Sequence, residues 1–109
     1  MNDRLLSFLG LCRRAGKLVI GNDPLREAIE TEKALLVLTA SDISENTLKK
    51  INTAVDAGKV AYYQIDRTKD ELSFSLGKTC ACLAVIDEGF ASKLTELIKA
   101  EQKKEETTI

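Results

Sequence analysis

The 109-residue sequence predicts a layered α/β domain, with helices on both faces of one sheet. Three observations predict it. Helix-periodic and strand-like segments alternate along the chain in the order α-β-α-β-α-β-α-β-α. The segment Leu35 to Thr39 is nearly all apolar, as a strand buried on both faces requires. The chain is 44% hydrophobic, and a chain of this size buries about two-thirds of its unfolded surface, enough for a core without staples.

Each element has its own signal. Residues 3–14 read as an amphipathic helix, with Leu5, Leu6, Leu9 and Cys12 at helical spacing, Phe8 beside them, and Gly16 as the stop. Lys17 to Ile20 is a short strand. Asn22 or Asp23 is expected to cap the next helix, with Pro24 at its first position, where no amide hydrogen is needed. Leu25, Ala28 and Ile29 form its apolar face. After the buried strand, Ser44 is the N-cap of a third helix, and Ile43 and Leu48 are spaced as a hydrophobic staple. Leu48, Ile51 and Val55 form its stripe, and Gly58 ends it. Val60 to Ile65 is a third strand. Thr68-Lys69-Asp70-Glu71 is a capping-box pattern opening a short helix, with Leu72 and Leu76 inward and Gly77 at its end. Cys82 to Ile86 is the fourth strand, and Phe90, Leu94, Leu97 and Ile98 mark the last helix. Residues 1–100 are expected to form a single domain, and residues 101–109 a charged tail, frayed beyond Lys99. No internal repeat or interdomain linker interrupts the pattern.

Composition narrows the function classes. No apolar run approaches the roughly 20 residues that span a membrane, and no secretory signal is visible, so a cytoplasmic protein without a membrane partner is expected. The three cysteines, Cys12, Cys80 and Cys82, are an odd count and argue against a disulfide framework. The absence of histidine removes the commonest general base and metal ligand. The net charge is −1, against a bulk electrostatic nucleic-acid binder. Its distribution is uneven, however. Residues 1–26 hold five basic groups (Arg4, Arg13, Arg14, Lys17, Arg26) and two acids, while the remainder holds 11 basic and 15 acidic groups.

The segment Gly21-Asn22-Asp23-x-x-Arg26 stands where a strand end meets a helix start, the place where binding sites collect in layered α/β folds. A helix start offers unpaired amide hydrogens. Asn22 adds a donor and an acceptor, Asp23 an acceptor, and Arg26, one turn on, a fork for phosphate or for a guanine edge. By spacing alone, the bland alternative is stronger: a glycine turn, a helix cap and a solvated arginine.

A resemblance shifts that balance. "GLCRRAGKLVIGNDPLREAIETEKALLVLTASDISENTLKKI", followed by "ELSFSLGK" and "LAVIDEGFASKL", resembles the kink-turn RNA-binding family of ribosomal protein L7Ae, in its bacterial YlxQ-type branch. The likeness runs from about Leu5 to Leu97, and "RRAGKLV", "LVLTASDISENTLKK" and "DEGFA" are its most specific pieces. It implies a three-layer α/β/α sandwich with a four-stranded mixed sheet, and a non-enzymatic role without a cofactor. It also implies recognition of a bent internal loop with sheared G·A pairs, whose guanine Watson–Crick edge is free. The family's Gly-Asn-Glu-x-x-Lys falls on Gly21, Asn22, Asp23 and Arg26. By resemblance Asn22 donates to guanine O6, Asp23 accepts from guanine N–H groups, and Arg26 takes a base edge or phosphate.

Several departures matter. Asp23 is one methylene shorter than Glu, Arg26 replaces Lys, and Pro24 removes an amide hydrogen. The apolar loop the family carries before its last strand is reduced to Lys78-Thr79-Cys80-Ala81, which implies weaker or differently specific RNA binding.

Other candidates flank this site. Arg13, Arg14 and Lys17 could contact phosphate or, for the helical pair, merely favour a helix C-terminus; Lys78 and Thr79 belong to the second candidate loop. Strand alternation would put the sulfurs of Cys80 and Cys82 on one face, though small buried thiols are the expected outcome. Asp42 lacks the companion acids that phosphoryl chemistry needs and reads as a turn residue. Two functions therefore stand open. One is a monomeric, ribosome-associated or structured-RNA binder, with ribosomal or other proteins as possible further partners. The other is a protein-interaction module on the same fold that has lost RNA binding. Thiol redox chemistry is a distant third.

Overall fold

A computed structural model describes residues 3–106. The elements are α1 (Arg4–Arg14), β1 (Leu18–Ile20), α2 (Asn22–Glu30), β2 (Leu36–Thr39), α3 (Glu45–Gly58), β3 (Ala61–Gln64), α4 (Lys69–Leu76), β4 (Cys82–Val85) and α5 (Glu88–Glu106). The expected order is found. Several strands stop one residue inside the expected limits, although flanking residues still bond to the ladder: Ile86 N donates to Lys17 O, Leu35 N to Val85 O and Ile65 N to Thr39 O.

The sheet has the order β1-β4-β2-β3. β2 and β3 are parallel, and β4 runs antiparallel to both of its neighbours. Alternation along the central strands divides the core in two. Leu36, Leu38, Leu83 and Val85 face α1, α4 and α5, where Leu5, Leu9, Leu72, Leu76, Leu94 and Ile98 cover them. Val37, Cys82 and Ala84 face α2 and α3, meeting Leu25, Ile29, Ile51 and Val55. The result is the three-layer α/β/α sandwich with a mixed sheet.

Local chemistry explains the helix ends. Ser44 Oγ accepts from Thr47 N, and the Thr68–Glu71 capping box is complete. Ile43 and Leu48 join the same cluster, as a staple should. At the end of α1, Gly16 N donates to Arg13 O and Lys17 N to Cys12 O, the paired bonds of a Schellman ending. Asp42 does serve a turn: its Oδ1 accepts from Lys69 N at 2.8 Å, fastening the first amide of α4.

Two expectations are corrected. Neither Asn22 nor Asp23 caps α2. The cap is Gly21, with φ +107° and ψ 162°, no side chain caps the helix, and Pro24 is its third residue. Gly58 ends α3 as expected, and Lys59 after it takes the left-handed conformation at φ 53°. A Cβ on Gly58 would stand 2.6 Å from Ile29 Cγ2, so glycine is needed there for the approach of α2. Last, α5 continues past Lys99 to Glu106. Glu101 holds this stretch, accepting from Arg67 Nη2 at 2.7 Å while Arg67 Nε donates to Asp3 Oδ2 at 2.8 Å. No helix among the described residues is long and apolar enough to cross a membrane.

Candidate nucleic-acid interface

The junction between β1 and α2 is built on β4. Gly21 N donates to Cys82 O at 3.2 Å, extending the β1–β4 ladder by one bond before the chain turns. The extended, positive-φ conformation of Gly21 is essentially reserved for glycine. It starts α2 abruptly, so Asn22 and Asp23 fall in its first turn, with their amides left for solvent or a ligand. Pro24 contributes no donor.

Both side chains are exposed. Asn22 Oδ1 accepts a hydrogen bond from Cys82 Sγ at 2.9 Å. Asp23 is 88% exposed at its side chain and accepts from Arg26 Nη2 at 2.9 Å, with Arg26 itself 45% exposed. A pair so open to water contributes ~0–1 kcal/mol, weak enough to be exchanged for contacts with a ligand. Donor, acceptor and cation thus share one turn of one helix.

The second loop opens beside this turn. Gly77 to Ala81 connects α4 to β4, and its base is pinned by Cys80 N donating to Ser73 Oγ at 2.9 Å and Ala40 N donating to Ala81 O at 2.9 Å. Cys82, the residue that touches Asn22, ends it. Lys78 and Thr79 are exposed, four and three residues before Cys82, so no more than about 14 Å and 11 Å of chain separate them from it. Gly21, Asn22, Asp23, Arg26 and the Lys78–Thr79 loop therefore form one edge of the molecule.

Arg14 and Lys17 are placed differently. Lys17 O accepts from Ile86 N, so Lys17 stands at the opposite end of β1 from Gly21, about 13 Å along the strand direction. Arg14 is the last residue of α1, with a guanidinium nitrogen 3.8 Å from where a Cβ on Gly10 would lie, back along its own helix. Arg13 donates to Leu76 O at the end of α4, the helix-terminus role open to it from the start.

The two thiols near the loop do not share a face. Cys80 packs with α1, α4 and α5, and Cys82 with α2 and α3. The alternation argument fails because Cys80 precedes β4 and lies in the turn, outside the extended strand. Burial pushes the Cys80 thiol up to about 12 and the Cys82 thiol up to about 11, far from the lowered values of reactive cysteines. Among the described residues no group of three or more cysteine or acidic side chains is arranged to hold a metal.

Sequence reasoning missed two features here. The Cys82–Asn22 contact spans 60 residues and has no local signal. Phe74, on the outer face of α4, is 91% exposed; a phenylalanine opposite Leu72 and Leu76 on the helix wheel was the available sign.

Comparison with known proteins agrees with this architecture. Residues 3–95 match the ribosomal protein L7Ae/L30e/S12e/Gadd45 family. The RNA-binding protein YlxQ of Enterococcus faecium is 35% identical over 100 residues, covering 88% of this chain and 92% of that protein. The RNA-binding protein YlxQ of Bacillus subtilis (strain 168) is 40% identical over 92 residues, covering 84% and 91%. Among solved structures, a protein of unknown function from Bacillus halodurans superposes with a TM-score of 0.83 at 28% identity, covering 90% of this chain and 99% of that one. The Giardia lamblia 15.5kD RNA binding protein superposes with a TM-score of 0.73 at 15% identity, covering 92% of each, a likeness of fold. With a match that runs from just before α1 into the first half of α5, on the same sandwich, the chain belongs to the ribosomal protein L7Ae/L30e/S12e/Gadd45 family.

Proposed function

We propose that the protein is a non-enzymatic, cytoplasmic RNA-binding protein that reads a sharply bent, kink-turn-like RNA. The observation that carries this reading is the exposed Asn22-Asp23 pair on an uncapped helix start, one turn from Arg26 and beside the Lys78–Thr79 loop. The family and the printed names of the YlxQ relatives support it. A sheared G·A pair leaves the guanine Watson–Crick edge free: one acceptor, O6, next to two donors. Asn22 Nδ2 donates to O6, Asp23 accepts from the guanine N–H groups, and Arg26 exchanges Asp23 for phosphate or base. Lys78 and Thr79 contact the adjoining backbone. Lys17 and Arg14, a strand length away, serve as outlying phosphate contacts.

The reading of the fold as a protein-interaction module finds its support in Phe74, an exposed aromatic close to the same edge. One titration separates the two. A kink-turn RNA and a copy with Watson–Crick pairs in place of the sheared pairs are titrated at fixed salt. Tight binding to the first and much weaker binding to the second is expected. Equal, salt-sensitive binding to both would reduce the site to a basic patch, and no binding to either would favour the protein partner.

A further inference from the structure

Asn22 reads a guanine O6 only when its carboxamide presents nitrogen rather than oxygen. The two ends of an amide are nearly equal in size, so shape alone does not choose between them. Cys82 makes the choice. Its sulfur lies 2.9 Å from Asn22 Oδ1. It is buried at the first position of the central strand β4, and its own carbonyl accepts from Gly21 N. The backbone that starts α2 and the side chain beside it are thus held by one residue. Burial keeps this thiol protonated at neutral pH. A protonated thiol has one hydrogen to give and a sulfur that accepts poorly. An amide oxygen turned toward it gains a hydrogen bond, whereas an amide NH2 turned toward it gains little.

We propose that Cys82 is a positioning residue of the RNA site, whose thiol donates to Asn22 Oδ1 and leaves Asn22 a donor toward RNA, selecting a purine carbonyl over a purine amino group. The proposal rests on the RNA-binding reading above and adds a specificity rule to it: guanine is accepted and adenine refused at this position because of a residue that touches neither.

The test has two arms. The first uses the free protein and needs no RNA. The infrared S–H band of Cys82, identified by its loss in Cys82→Val, is expected to move to higher frequency in Asn22→Ala, where the acceptor is gone. A band that stays in place overturns the proposal. The second arm compares a kink-turn RNA carrying guanine at the sheared pair with one carrying 6-thioguanine, which keeps the N–H donors and weakens the acceptor. Wild type is expected to lose about tenfold in affinity on that exchange, the order a good base contact supplies. In Cys82→Val, close in size and without a donor, the penalty is expected to fall below about threefold, and Cys82→Ser, which restores a donor, is expected to recover it. A merely structural role would weaken both RNAs alike and leave their ratio unchanged, overturning the proposal. A wild type that does not distinguish the kink-turn from its Watson–Crick copy overturns the proposed function, and the positioning role falls with it whatever the infrared band does.

Discussion

At the scale of single residues, the candidate site divides into groups proposed to read RNA and groups that hold them. Asn22 makes no helix-capping bond, but it accepts from the buried Cys82 thiol. Asn22→Ala is expected to cost ~1–3 kcal/mol of kink-turn binding and about 0.5–1 kcal/mol of stability, for the thiol left without its acceptor. Paired RNA titrations and urea unfolding curves check both halves. Gly21 is the contrasting case. A Cβ there has room, its nearest neighbour Pro24 Cδ lying 3.6 Å away, but the backbone conformation does not suit it. Gly21→Ala is expected to destabilise by about 1–3 kcal/mol and to weaken RNA binding beyond that of Asn22→Ala, since the start of α2 must move. The candidate reading groups were legible in the sequence, because Gly21, Asn22, Asp23 and Arg26 are neighbours along the chain and on one turn. The holding groups were not. Cys82 meets Asn22 across 60 residues and Arg13 meets Leu76 across 63, and contacts at that separation leave no periodicity or spacing to find.

At the scale of elements, the sequence carried the order of helices and strands because each is bounded by a local device. Ser44, Thr68 with Glu71, and the ending at Gly16 all do what their residue types favour. Packing against another element adds what no local pattern shows. Gly58 ends α3 as its residue type favours, and it also lets α2 approach α3, with Ile29 Cγ2 2.6 Å from the space a Cβ would fill. Gly58→Ala gains ~1 kcal/mol of helix propensity and is nevertheless expected to destabilise by about 1–3 kcal/mol through overpacking. Ile29→Leu, which lacks the branched methyl, is expected to recover part of that loss in the double variant. Thermal unfolding of both single variants and the double measures the coupling. Cys80 and Cys82 show the same lesson in a turn, where two residues no longer alternate as they would within a strand.

At the scale of the whole molecule, Arg67 joins the start of α1, the entry to α4 and the far part of α5 through Asp3 and Glu101. Its side chain is only 13% exposed, so its charge is useful only while both partners are present. The hydrogen bonds from Arg67 hold the Asp3 carboxyl below the usual carboxylate range against the opposing effect of burial. A lowered pKa in the folded state means that the unfolded chain binds the extra proton first. The stabilisation is therefore complete above about pH 5 and is lost as pH falls through the folded value. Urea unfolding at pH 7 and at successively lower pH is expected to show this loss in the wild type and a shallower one in Asp3→Asn; Arg67→Ala is expected to cost about 2 kcal/mol at pH 7, by stranding two partly buried carboxylates. The strand order has a consequence of another kind. Among the described residues Leu18 to Ile20 pair only with Leu83 to Val85, and no other strand borders β1. During synthesis, β1 and the junction that follows it wait without a partner until some 65 further residues have been made. The proposed RNA surface is encoded at residues 21–26 and completed only once residues 82–85 are made, so a nascent chain carries the letters of the candidate site well before it has the site.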